Sequence, residues 1–246
     1  AAGAVRGQGR RPWRAGLTAT ETAPRTHPPA DIAFTLLMAT ARRISEGVDY
    51  VRADKWKTWG PMLLMGQDIH KATLGIIGFG RIGQGMAKRA SGFDMKILYH
   101  DVYRREDLEQ SMGVVYSDID NILAQSDFIS IHTDLNPSTR YMFNAAAFAK
   151  MKRTAILINT ARGPVVDHMA LYEALKSGQI WAAGLDVTDP EPLPVSHPLM
   201  SLPNCLVVPH IASASIATRG KMAMMAANNL IAGVRGDRLP TPVNPD

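Results

Sequence analysis

Only one cysteine, Cys205, occurs in 246 residues. A single thiol excludes an internal disulfide framework and fits a reducing compartment, so a cytoplasmic location is expected. A membrane-spanning run is also missing. The longest stretch without Asp, Glu, Lys or Arg, residues 192–218, carries prolines at 192, 194, 198, 203 and 209. Proline at that density breaks any spanning helix. The first residues lack the apolar core of a signal peptide. There is no internal repeat, and 20 Gly and 16 Pro are ordinary numbers, which excludes collagen-like and low-complexity classes. His70, His100, His132, His168 and His197 show no metal-ligand spacing, so no metal is expected. What is present, 46% hydrophobic and 20% charged residues, suffices for the core of one or two globular domains.

The net charge of +5 lies mostly in the leader. Arg6, Arg10, Arg11, Arg14 and Arg25 against Glu21 give residues 1–29 a charge of +4 and leave +1 for the other 217. A nucleic-acid partner would require a basic face on the folded part, and none is expected. Those 29 residues hold only Val5, Trp13 and Leu17 as large apolar residues. Without periodicity they read as a disordered leader. At Ala30 the character changes. Asp31 charges a helix start, Ile32, Leu36 and Leu37 recur at helical spacing, and Phe34 and Met38 lie on the other side. A helix apolar nearly all round must be buried, and burial against a second copy predicts a homodimer. Arg42 and Arg43 suit its end, and Gly47 stops it or a short continuation. Residues 50–70, with Trp56 and Trp59, read as an extended arm.

Beyond residue 72 short apolar runs alternate with helical patterns. Strands are expected at 73–77, 96–99, 114–116, 128–131, 155–159, 181–185 and 205–208, and helices at 82–90, 105–111, 119–124, 145–151 and 167–177. Such alternation builds βαβ units, and unbroken runs such as Ile156-Leu157-Ile158 mean strands buried on both faces. The fold class is therefore α/β, a Rossmann-type doubly wound parallel sheet. A last Ala- and Met-rich helix spans 215–234, ended by Gly236. The domain assignment is a leader at 1–29, a dinucleotide-binding domain at 30–235 that includes the first helix, the arm and the last helix, and a tail at 236–246.

Gly78-Phe79-Gly80-Arg81-Ile82-Gly83 follows the first of these strands directly and opens a helix. Turn glycines alone would explain the spacing, but the strand–turn–helix context points to a dinucleotide. Gly78 permits the tight turn, Gly80 lets backbone approach a pyrophosphate, and Gly83 lets helix pack on strand. The free N–H groups at the helix start, among them those of Arg81 and Ile82, hold phosphate charge. Asp101, 23 residues beyond Gly78, ends the second strand, where a carboxylate accepts ribose hydroxyls and repels a 2′-phosphate. The cofactor expected is NAD. Arg104 and Arg105 soften that preference and leave NADP open, unless they are simply a solvated helix start.

Three later strands each end in an ionisable group: Asn159-Thr160-Ala161-Arg162-Gly163-Pro164; Gly184-Leu185-Asp186-Val187 followed by Glu191-Pro192; and Pro209-His210-Ile211. Ligands gather at such carboxyl ends. Together with the glycine turn, these stretches resemble the NAD-binding domain of the D-isomer-specific 2-hydroxyacid dehydrogenases, and within it the glyoxylate/hydroxypyruvate reductases. The likeness runs from about Ala30 to Pro245.

The resemblance implies that Arg162 binds a substrate carboxylate and polarises its keto oxygen. It implies that His210 is the general acid in reduction and the base in oxidation. Glu191 would hydrogen-bond His210 and favour its protonated form, where the similar formate dehydrogenases have glutamine. Asp186 would hold the nicotinamide carboxamide, and Thr160 and Ala161 would also line the cofactor. The expected activity is NAD(P)H-dependent reduction of small 2-ketoacids such as glyoxylate or hydroxypyruvate to D-2-hydroxyacids. The alternative is an inactive NAD-binding, corepressor-like interaction protein on the same fold. The family's substrate domain, which precedes this one, finds no counterpart in residues 1–29, so an incomplete or missing substrate domain is expected. Asp134 and Ala212 depart from the usual proline and glycine.

Overall fold

A computed structural model describes residues 27–242, so the expected leader lies, apart from its last three residues, outside the described residues. The described chain forms two bodies, residues 27–213 and residues 214–242.

The first body opens with α1 (His27–Ala41) and α2 (Ile44–Arg52). Then come β1 (Thr73–Ile77), α3 (Arg81–Ala90), β2 (Lys96–His100), α4 (Glu106–Met112), β3 (Val114–Tyr116), α5 (Ile119–Gln125) and β4 (Phe128–Ile131). They are followed by α6 (Ala145–Lys150), β5 (Ile156–Asn159), α7 (His168–Lys176), β6 (Ala182–Leu185) and β7 (Cys205–Val207). The seven strands form one parallel sheet in the order β3-β2-β1-β4-β5-β6-β7. Asp118, Asn144 and Asp167 cap α5, α6 and α7 by accepting backbone N–H groups of the first turn, which satisfies donors a helix leaves open.

Alternating side chains send the sheet's apolar residues to two cores. Leu74, Ile76, Ile156 and Ile158 face α1 and α3, with Phe34, Leu37 and Met86. Ile77, Ile129, Ile131 and Leu157 face the other layer, with Ile122, Phe148 and Leu171. Both faces are covered, which is why the strands read as unbroken apolar runs. The register matters most for function. Ile77 pairs with His100 and Ile131, Ile131 with Asn159, Asn159 with Leu185, and Leu185 with Val207. Six strands therefore end in one row, and the residues that follow leave along one edge of the sheet.

Three readings of the N-terminal region change. The first helix starts at His27 rather than at Asp31, which takes residues 27–29 out of the leader. Prolines 28 and 29 fit there because first-turn N–H groups have no intrahelical partner. Asp31 sits a turn inside the helix and accepts from Arg89 Nε of α3 at 2.8 Å. The helix breaks at Arg43, in the left-handed region at φ 52°, while Gly47 lies inside α2. The apolar α1 is buried against its own chain's sheet and α3, with Ala33, Leu37 and Ala41 fully enclosed. Met38 on its outer side is exposed, and in the arm after α2 Trp56 is 62% and Trp59 79% exposed.

The second body is α8 (Ile216–Arg235) with the tail after it. The Ser215 hydroxyl accepts from Thr218 N, and Gly236 at φ 77° ends the helix. Asn229 and the Thr241 backbone and hydroxyl bond each other. On this helix Ile216, Met224, Leu230 and Val234 are exposed.

Candidate active site

The glycine turn leaves β1 pressed against the chain leaving β4. Gly78 stands at φ 91°, and a Cβ there would lie 2.7 Å from the His132 carbonyl carbon. Only glycine combines that backbone with that approach. A Cβ on Gly83 would lie 2.2 Å from the Gly78 carbonyl oxygen, so α3 closes directly onto the turn. Phe79 between them is buried and stacks on Tyr99 of β2, with ring centroids 4.2 Å apart. Its backbone N–H donates to Asp101 Oδ2 at 2.6 Å, and Gln84 Nε2 donates back to its carbonyl at 3.0 Å.

Asp101 therefore holds the turn as well as facing out from the end of β2. Beyond it, Arg104 Nε and Nη2 donate to the two Glu109 carboxylate oxygens at 2.8 and 2.9 Å. Arg105 pairs with Asp107 in the same two-pronged way. Glu109 pushes the Arg104 guanidinium further above its ordinary range. Both arginines are taken up by carboxylates of the helix that follows them.

After β5, the buried Asn159 brackets the next loop. Its Oδ1 accepts from Ala161 N at 3.0 Å and its Nδ2 donates to the Arg162 carbonyl at 3.0 Å. Arg162 is exposed, with Nη1 donating to the Ala161 carbonyl at 2.6 Å, and among the described residues no hydrogen bond joins it to Glu191 or His210. A Cβ on Gly163 would fall 1.8 Å from the Thr188 carbonyl oxygen, so the Arg162 loop and the loop after β6 touch backbone to backbone.

Asp186, 1% exposed, follows β6. Its Oδ1 accepts from Ile211 N at 2.6 Å and its Oδ2 from Ala212 N at 2.9 Å. Burial pushes its pKa up, and those two N–H groups hold it back. Its first task is to fix the loop after β7, and only its remaining lone pairs are left for a carboxamide. That loop carries His210 at φ 52°, with its N–H shared between the Asp186 and Val208 carbonyls. A non-glycine residue is uncommon in that left-handed conformation. His210 Nδ1 and Glu191 Oε1 stand 2.5 Å apart. The fold thus joins two of the expected catalytic residues across 19 positions of sequence.

The comparisons with known proteins place the chain in a family. Residues 34–212 match the family model for the D-isomer specific 2-hydroxyacid dehydrogenase, NAD binding domain. The chain belongs to that family. A glyoxylate reductase of Korarchaeum cryptofilum is 52% identical over 220 residues, covering 89% of this chain and 66% of the relative. A glyoxylate reductase/hydroxypyruvate reductase of Homo sapiens is 45% identical over 213 residues, covering 86% and 65%. The crystal structure of a protein from Thermus thermophilus superposes with a TM-score of 0.87 at 44% identity, covering 93% of this chain and 71% of that one. The chain spans about two thirds of the length of the curated relatives it matches.

NAD is the cofactor of this domain family, and two observations test whether these residues fit it. A Cβ on Gly80 would meet nothing within 4 Å, and the residue caps α3 without a side-chain bond at an ordinary φ of −69°. Nothing in the described packing requires glycine there, and the position is open to a ligand. Thr160, just after β5, has a buried hydroxyl without a hydrogen-bond partner among the described residues.

Sequence reasoning missed Tyr141 and Asp189, whose contact bridges two of the loops, because neither lies in a motif. It also missed that His132 backs the glycine turn. The Cys205 thiol has its pKa pushed up to about 12 by burial. Among the described residues no helix is long and apolar enough to cross a membrane, and no three His, Cys, Asp or Glu side chains stand close enough to hold a metal.

Proposed function

We propose that this chain is the cofactor-binding part of an NADH-dependent reductase that converts a small 2-ketoacid, of the glyoxylate or hydroxypyruvate class, to its D-2-hydroxyacid. The observation that carries the reading is the His210–Glu191 pair at 2.5 Å on the same sheet edge as the glycine turn. A module that only senses nucleotides has no use for a histidine oriented by a carboxylate.

The roles are those the family resemblance implies, and the chemistry of each side chain suits them. Glu191 accepts from Nδ1–H, so His210 presents Nε2 to the substrate and donates its proton to the oxygen that becomes the alcohol. In the reverse direction the same nitrogen takes it back. Glu191 also stabilises the imidazolium. Arg162 swings from the Ala161 carbonyl to grip the substrate carboxylate, for which a planar guanidinium is suited. Asp186 holds the His210 loop and turns any spare lone pair to the carboxamide. Thr160 and Ala161 line the cofactor beside the first turn of α3, where Gly80, Arg81, Ile82 and Gly83 offer N–H groups to its phosphates. Asp101 takes the ribose hydroxyls, and with Arg104 and Arg105 occupied by carboxylates, NADPH is the weaker alternative. When bound, the nicotinamide supplies the hydride.

The arm carrying Trp56, Trp59 and Met62, all exposed, would embrace a second copy in a homodimer. The reducing compartment suggested by the single thiol is the cytoplasm.

The test is a steady-state assay with glyoxylate and NADH, on this chain joined to a family substrate domain ahead of residue 27. His210→Ala is expected to slow turnover by about 10²–10⁴. A loss below about tenfold would overturn the acid–base assignment.

A further inference from the structure

Tyr141 is unusual in three ways. It is a bulky residue at φ 51°, a conformation that costs a non-glycine residue about 1 kcal/mol or more. It is 38% exposed, so no core demands its ring. It nevertheless makes a bond at each end: its backbone N–H donates to the Pro164 carbonyl at 2.8 Å, and its hydroxyl donates to Asp189 Oδ2 at 3.0 Å. Arg140 lies over the ring, 4.5 Å from its centroid, and Nη2 donates to the same hydroxyl at 3.0 Å.

Pro164 belongs to the loop of Arg162, and Asp189 lies two residues before Glu191. From the positions of these two bonds we infer that Tyr141 is a positioning residue, which ties the Arg162 loop to the Glu191 loop and so sets the carboxylate against His210. The inference rests on the site reading proposed above. The Glu191 loop is otherwise braced by the Thr188 hydroxyl donating to the Pro190 carbonyl at 2.9 Å, which closes the loop on itself, and by Leu193 packing against the core. Gly163, whose missing Cβ lets the two loops touch, permits the approach. The Tyr141 hydroxyl makes it a bonded one. Glu191 and His210 are both partly exposed, at 41% and 51% of their side chains, so packing alone does not hold their 2.5 Å contact. Tyr141 adds a bonded tether between the two loops.

The experiment uses the chain as it exists and reads the tautomer of His210 by nitrogen chemical shifts correlated to its ring C–H protons. A neutral imidazole in water favours hydrogen on Nε2, and a carboxylate at Nδ1 moves it to Nδ1. In the unaltered chain the Nδ1–H form is expected to dominate, and Glu191→Gln is expected to abolish the preference. Tyr141→Phe keeps the ring, the backbone and the Arg140 stacking and removes only the hydroxyl. It is expected to lower the Nδ1–H to Nε2–H ratio by about three- to tenfold, the worth of one net hydrogen bond. Asp189→Asn, which weakens the acceptor, is expected to follow it. An unchanged ratio in Tyr141→Phe with a large change in Glu191→Gln overturns this inference and leaves the site reading standing. No change in any variant overturns both.

Discussion

His132 leaves β4 where the sheet reverses its winding order. Its carbonyl backs Gly78, and its Nε2 stands 2.8 Å from the Ser130 hydroxyl. Burial pushes its pKa from 6.5 down to about 4. Folding therefore favours the neutral ring, and the unfolded chain binds the proton more readily. The stability this contributes is complete above pH 6.5 and is lost as the pH falls toward about 4. The slope is at most about 1.4 kcal/mol per pH unit for this one proton. Urea midpoints measured from pH 7 to pH 4 are expected to fall less steeply in His132→Gln than in the unaltered chain, and equal slopes would contradict this. Much at this scale was legible beforehand. Gly78 and Gly83 announce themselves by spacing because a tight turn and a close helix contact each need glycine. Tyr141 carries no such signal: its task arises from where two loops far apart in sequence meet, and no local pattern encodes that.

Elements were readable where a single physical demand governs them. β1, β3 and β4 fall where apolar runs are bounded by polar or glycine residues, at 73–77, 114–116 and 128–131. The boundary between α1 and α2 was not readable, because the break is made by Arg43 in a left-handed conformation rather than by Gly47. The burial of α1 was foreseen, but its partner was not, since periodicity reports an apolar face without saying what covers it. The union of α3 with β1 gives the prediction at this scale. A methyl on Gly83 would stand 2.2 Å from the Gly78 carbonyl oxygen, and backbone cannot yield as a flexible side chain does. Gly83→Ala is expected to destabilise the chain by about 1–3 kcal/mol through overpacking, read by urea denaturation. Stability within about 0.5 kcal/mol of the unaltered chain would show that the turn adapts.

At the scale of the whole molecule, one row of strand ends organises everything. Gly78, Asp101, Thr160, Asp186 and, two residues further on, His210 all follow strands whose last pairs are in register. The exposed arm gives the molecule its second property. With Trp56, Trp59, Met62 and Met65 all more than half exposed, light scattering at micromolar concentration is expected to show a dimer. Trp59→Asp together with Met62→Asp would shift it toward monomer, and a stable monomer in the unaltered chain would contradict the proposed embrace.

The central claim, that this edge is built around a dinucleotide, is tested most directly by NADH fluorescence titration of the chain beside its Gly80→Ala variant, with a melting curve for each. Gly80 touches nothing that a methyl would displace, so the variant should melt close to the unaltered chain. The unaltered chain should bind NADH saturably, and the variant should bind about tenfold more weakly or worse, a loss of about 1.4 kcal/mol. Equal binding by both folded chains, or no saturable binding by either, would contradict the account.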